Sequence, residues 1–138
     1  MPFNTEFTED YMGIVHVGTG IVTGAEILQG CKSVTALVQT TENFHYKLVN
    51  FAGVTDLQVS EEELNEIVAE DRLIAAARPH AAVAIVAPNE LIIAIARHWE
   101  NRVEGLGWLT HITRTASEAW RWLRENSSTS AQVESKTS

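Results

Sequence analysis

The sequence predicts a layered α/β domain: a mixed, mainly parallel sheet of four to five strands with about four helices. Three observations carry this. Segments of β-branched residues alternate with segments of helical apolar spacing along the chain, the order that builds a parallel layered sheet. Three stretches, Thr23-Gly-Ala-Glu26, Ser60-Glu-Glu-Glu63 and Thr115-Ala-Ser-Glu118, have the form of a capping box. The run Ala-Ala-Val-Ala-Ile-Val-Ala at 81–87 has no polar alternation, which marks a strand covered on both faces and places helices on both sides of the sheet.

Each element follows in order. Residues 3–7 allow a short edge strand. Ile14, Val15, Val17, Ile21 and Val22, interrupted by Gly18 and Gly20, read as a strand with a bulge or tight hairpin. Thr23 and Glu26 then open a helix, where Leu28, Cys31, Thr35 and Val38 follow a three-and-four spacing to about Thr40, so Cys31 belongs on the core side. After a turn at Thr41-Glu-Asn43, residues 44–51 alternate as a strand, with Phe44, Tyr46, Leu48 and Asn50 on one face and His45, Lys47, Val49 and Phe51 on the other. Gly53-Val-Thr-Asp56 is expected as a loop. The acidic cap at 60–63 starts a second helix, with Leu64, Ile67 and Val68 inside, and Pro79 ends it.

Beyond the apolar strand, Pro88-Asn89-Glu90 opens a third helix running to about Arg102. Its periodicity puts Leu91, Ile92, Ile95, Ala96 and Trp99 on the sheet side and turns Ile93 outward beside Arg97 as surface for a ligand or second subunit. Gly105 and Gly107 break the chain, residues 108–113 alternate as a strand, and the last helix carries Ala116, Ala119, Trp120 and Leu123 on one stripe. The domain is expected over residues 1–126, with a polar, low-complexity, disordered tail at 127–138.

Composition narrows the function. Eighteen acidic against ten basic side chains give a formal charge of -8, and the basic residues form no run, so nucleic acid is not an expected partner. One cysteine and an acidic N-terminus without a signal-peptide pattern fit the cytoplasm, and no apolar stretch reaches the roughly 20 residues of a membrane span. Gly18-Thr-Gly20-Ile-Val-Thr-Gly24 departs from the dinucleotide-binding spacing and places Glu26 where a phosphate would meet the helix N-terminus. His16, His45, His80, His98 and His111 occur on different elements without metal-ligand spacing. Cys31 is a buried, inert thiol in this reading, and no serine stands in a nucleophile elbow. The expectation is a protein that is not an enzyme and uses no cofactor or metal.

The segments "YKLVNFAGV", "AVAIVAPNELIIAIARHWEN" and "TRTASEAWRWLRE", with Arg97 after the third helix's apolar run and Ala119, Trp122 and Leu123 near the end, resemble the SpoIIAA-like (STAS/Sec14-type) family of small bacterial proteins over residues 11–125. The resemblance implies a SpoIIAA-like layered fold and a non-catalytic interaction or regulatory module, expected as a homodimer. The alternative it implies is a pocket for a small or lipid-like ligand. In anti-sigma-factor antagonists a phosphorylatable serine sits in a short turn after a central strand. Here Asn50-Phe-Ala-Gly53 stands at that place, with no serine. The candidate contact residues are Asn50, Asn89 and Arg114 at strand ends, and Ile93, Arg97 and Trp99 on the third helix.

Overall fold

The computed structural model describes residues 2–40 and 44–127. The expected turn at Thr41-Glu-Asn43 and the tail at 128–138 lie outside the described residues. Five strands and four helices follow one another as β1 (Phe3–Phe7), β2 (Gly13–Thr23), α1 (Gly24–Val38), β3 (Tyr46–Gln58), α2 (Glu61–Ala77), β4 (Ala82–Val86), α3 (Glu90–Val103), β5 (Leu109–Thr113) and α4 (Ala116–Asn126). The sheet order is β1-β2-β3-β4-β5, with β1 antiparallel to β2 and every other pair parallel.

Because each parallel crossover steps to the next strand in the same direction, the right-handed rule puts α1, α2 and α3 on one face of the sheet. The burial pattern agrees: Ile14, Val83 and Ile85 pack in a single core with side chains of these three helices. Among the described residues no strand follows helix α4, so it is not a crossover and is free to fold onto the other face. There Ala119 and Leu123 meet Tyr46, Leu48, Ala82, Ala84 and Val86 in a second, smaller cluster. All five residues of β4 are buried, as its unbroken apolar run predicts.

Two of the three expected capping boxes are complete, at Thr23 with Glu26 and at Ser60 with Glu63. The third is half formed: Thr115 Oγ1 accepts from the Glu118 amide, but the Glu118 carboxylate takes the Thr115 hydroxyl rather than its backbone N–H.

Residues 53–56 correct the expected loop. They continue β3, which runs 13 residues and pairs with β2 to their far ends through two register shifts at Val17/Thr19 and Gly20/Ile21. Gly20 takes a positive φ of 65° at the second of these, which a bulge accepts and a β-branched residue resists. Strand β4 accompanies β3 only as far as Asn50, so the outer halves of β2 and β3 form a two-stranded ribbon.

Helix α3 corrects a second expectation. Its buried stripe is Ile92, Ile93, Ala96, Trp99 and Val103, while Leu91 is 59% exposed. Ile93 therefore faces the core and offers no surface to a partner. The stripe is rotated from the expected one because α3 packs against both β5 and the flank of α2, and the added helix contact decides the buried side.

Candidate functional site

An α/β sheet whose strand order never reverses has no switch-point crevice at its strand ends. The three strand-end candidates are correspondingly engaged in local structure. The Asn50 Oδ1 accepts from the Ala52 amide at 2.9 Å, Asn89 caps α3 by accepting from the Ile92 amide at 3.1 Å, and Arg114 pairs with Glu90 on the surface. Arg97 is exposed and Ile93 is buried. Of the six candidates, Trp99 alone reaches a cavity that contains buried polar groups.

That cavity, about 70 Å³, lies between the sheet and α1–α3. Its walls are mostly apolar, including Phe51, Leu57, Ile67 and Ile85, but four chemically distinct side chains interrupt them: His16, Cys31, Lys47 and Asp71. Each is placed by the periodicity of its own element. On β2, Ile14 and His16 share the helix-facing side, and on β3 Lys47, Val49 and Phe51 do the same. Helix α2 buries Leu64, Ile67, Val68, Asp71, Ile74 and Ala75, so Asp71 occupies a core position of that helix. Cys31 stands on the inner face of α1.

Lys47 Nζ and the Asp71 Oδ1 lie 3.6 Å apart, with side chains only 3% and 1% exposed. A buried charge persists when an opposite charge compensates it, and this pair meets that condition. Trp99 Nε1–H donates to the other carboxylate oxygen, Oδ2, at 2.7 Å. The Lys47 ammonium also sits 5.5 Å from the ring centre of Trp108, whose own N–H donates to the Arg78 carbonyl at 2.9 Å. Cation, carboxylate and two indoles thus form one connected cluster inside the core.

His16 is 1% exposed, stacked on Phe3 at 5.2 Å, with its Nδ1 2.8 Å from the Thr5 hydroxyl. Burial lowers its pKa well below the usual 6.5, and the Lys47 charge adds to this, so the ring is neutral at pH 7. Two buried atoms at the cavity have no hydrogen-bond partner among the described residues: His16 Nε2 and Asp71 Oδ1. Burial, with the Asp71 carboxylate beside it, pushes the Cys31 thiol up to about 12 and keeps it protonated.

A second, open groove of about 210 Å³ lies next to the cavity, between the N-terminal half of α2 and α3. Val59, Leu64 and Ile95 line both spaces and form the wall between them. On the groove side, the His98 Nε2 and the Glu61 Oε1 are 2.8 Å apart. Among the described residues no group of three or more His, Cys, Asp or Glu side chains is placed to hold a metal ion.

The residue-level reading of the sequence missed this site, although each of its polar members announces itself. His16, Lys47 and Asp71 all fall on the buried phase of an amphipathic element, where a charged or polar residue requires a partner.

No known family model matches this chain, nor does any curated protein. Solved structures do. The anti-sigma factor antagonist SpoIIAA in its unphosphorylated form is 11% identical, with a TM-score of 0.59 over 88% of this chain and 97% of its own. The Bacillus cell fate determinant SpoIIAA in the phosphorylated form is 14% identical, with a TM-score of 0.56 over 88% and 98%. An uncharacterized protein of the DUF3478 family from Shewanella loihica PV-4, described as having a SpoIIAA-like fold, is 16% identical, with a TM-score of 0.55 over 88% and 91%. The architecture is therefore the SpoIIAA-like, or STAS, fold. The position equivalent in sequence pattern to the antagonists' serine turn, residues 50–53, lies here inside strand β3. No helix among the described residues is long and apolar enough to cross a membrane.

Proposed function

We propose that the chain is a non-catalytic STAS-type regulatory module that holds a small molecule in the cavity between its sheet and helices α1–α3. One observation carries this reading: at the cavity the buried His16 Nε2 has no hydrogen-bond partner among the described residues, and the buried Asp71 Oδ1 has the Lys47 ammonium only at 3.6 Å, beyond hydrogen-bond length. A buried atom such as His16 Nε2 costs about 1–3 kcal/mol when left unpaired, and a bound molecule that meets it recovers that free energy. The site is built for holding rather than for chemistry, because its thiol is protonated with a pKa near 12 and its carboxylate already has a cation and an indole N–H. Occupancy would tighten the packing of α2 and α3 on the sheet and so alter the surface those helices offer to a protein partner. The lone buried cysteine fits a cytoplasmic setting.

Native mass spectrometry of protein purified without denaturant tests the proposal, together with thermal unfolding in the presence of small-molecule panels. A retained mass, or a compound that raises the melting temperature of this protein but not of a cavity-filled Ala96→Leu variant, supports it. A panel that stabilises both proteins equally, with no retained mass, sinks it.

A second reading, self-association into a homodimer, is favoured by the exposed edge of the sheet. Phe7 and Tyr11 are 40% and 66% exposed and pair with each other at 6.2 Å, beside an edge strand whose outer backbone has no neighbouring strand among the described residues. Sedimentation equilibrium decides it: a concentration-independent monomer mass removes this reading, whereas a dimer lost on Tyr11→Lys substitution supports it.

A further inference from the structure

Resting on the cavity reading above, we infer that the cavity selects an uncharged molecule with a hydrogen-bond-donating head, of the hydroxyl type, and a short apolar body. Charge makes the first selection. The titratable groups around the cavity are His16 on β2, Cys31 on α1, Lys47 on β3 and Asp71 on α2; α3 contributes the neutral Trp99. Lys47 and Asp71 cancel, and the other groups carry no charge at neutral pH, so the enclosed site sums to zero. A carboxylate or ammonium placed there would be a third, uncompensated charge in a low-dielectric space, and its desolvation would exceed what the pre-formed ion pair returns.

Hydrogen bonding makes the second selection. Asp71 Oδ1 accepts no hydrogen bond from the described residues, since the Lys47 ammonium that compensates its charge stands 3.6 Å away. Among the described residues, the other polar atom of the cavity lining without a hydrogen bond is His16 Nε2, on a neutral imidazole, which donates or accepts according to which way the Thr5 hydroxyl meets Nδ1. A ligand that only accepts leaves Asp71 Oδ1 unmet, whereas a hydroxyl donates to it and retains lone pairs for a second contact. Sites with buried polar groups reject analogues that lack the matching hydrogen.

Volume makes the third selection. About 70 Å³ is roughly half the ~150 Å³ of an engineered cavity that takes up the six carbons of benzene, so the space itself holds a body of roughly three non-hydrogen atoms. A longer molecule keeps its head beside Asp71 and passes its body between Val59, Leu64 and Ile95 into the groove lined by Ser60, Ala94 and His98. Those three side chains line both spaces, and the same path admits the ligand.

The test uses four probes with the same number of non-hydrogen atoms: butan-2-ol, butan-2-one, propanoate and butylammonium. Each is titrated into the full-length protein while the indole N–H resonance of Trp99 is followed by NMR, since its hydrogen bond to Asp71 reports the cavity directly. The alcohol is expected to shift that resonance saturably, with an affinity at least about tenfold above either ion and severalfold above the ketone. Its affinity should not change between about pH 6.5 and 8.5, because no protonation accompanies binding of a neutral molecule to a neutral site. Ile95→Trp, which fills the partition without touching the polar cluster, should weaken or slow binding at least fivefold, and Arg97→Ala on the exposed side should leave it unchanged.

Propanoate or butylammonium binding as tightly as the alcohol leaves the cavity as a binding site but overturns the selection of a neutral ligand. An equal affinity for the ketone overturns the donor requirement. A Trp99 resonance that no probe moves means that the cavity holds water alone, and it overturns both this inference and the function on which it rests.

Discussion

Replacing Lys47 with Met keeps the length and apolar stem of the side chain while removing its charge, which isolates the ion pair from the packing around it. At the observed 3.6 Å the attraction between the two charges is about 5 kcal/mol for an effective dielectric constant of about 20. Most of that offsets the cost of burying the two groups, so the pair's net contribution is small, yet removing one member is expensive. Lys47→Met leaves an Asp71 carboxylate, 1% exposed, with a single indole N–H as its partner, and the expected destabilisation is about 3–5 kcal/mol. Asp71→Leu strands the ammonium in the same way and should cost a similar amount. The double variant removes both charges and loses chiefly the Trp99 hydrogen bond, so it should be destabilised by only about 1–3 kcal/mol. Urea unfolding followed by tryptophan fluorescence gives all three values and the coupling between them. A double variant as unstable as the sum of the singles, or a Lys47→Met cost under about 1 kcal/mol, would refute the view that these two residues compensate one another inside the core.

The remaining predictions concern protons, the thiol and the helix caps. His16 has its pKa lowered by folding, so the unfolded chain takes up a proton that the folded chain refuses, and stability falls as pH drops below about 6.5. Between about pH 7.5 and 5.5 this loss approaches about 1.4 kcal/mol, and a His16→Gln variant unfolded in urea at both values should lack that difference. With a pKa of about 12, roughly one Cys31 thiol in ten thousand is ionised at about pH 8, so an aromatic disulfide reagent should label it no faster than the protein unfolds, and immediately in denaturant. Rapid labelling of the native protein would contradict its burial. Ser60→Ala removes one half of a complete capping box and should cost about 1 kcal/mol in the same urea assay, whereas Ser117→Ala in the half-formed third box should be close to neutral.

The layered architecture was legible because each element states its class locally. The apolar run at 81–87, the capping boxes at 23–26 and 60–63 and the alternation around Lys47 are properties of a few adjacent residues. The resemblance to SpoIIAA-like proteins was likewise legible in the strand-to-helix pattern, and the solved structures share that fold. What failed were features decided between elements. The third helix's buried side depended on where α2 lay, so Ile93 was turned outward and Leu91 inward, the reverse of the structure. Residues 53–56 look like a turn alone, yet they remain a strand because β2 runs beside them.

The candidate site divides in the same way. Trp99 was found as a member of a helical stripe, but its partner Asp71 is 28 residues away, and Lys47 lies on a third element. A lysine and an aspartate on the buried phases of their own segments were visible one by one. That they meet requires the fold. Asn50, Asn89 and Arg114 rested on the habit of α/β sheets to bind ligands at strand ends, a habit that belongs to sheets whose strand order reverses. This sheet runs straight from β1 to β5, and its enclosed space is under the helices instead.

The outgrowth of β2 and β3 past the rest of the sheet divides β3 into two thermodynamic halves. From Tyr46 to Asn50 the strand has a neighbour on each side, and from Phe51 to Gln58 it has β2 alone. Amide hydrogen exchange along this one strand should therefore step down in protection after Asn50, because the outer half can open by parting from a single neighbour while the inner half opens only with the whole domain. Phe51 and Leu57, both on that outer half, line the cavity. The wall least secured by its neighbours is thus also a wall of the binding space, and a bound molecule would be expected to slow exchange there before it slowed exchange anywhere else.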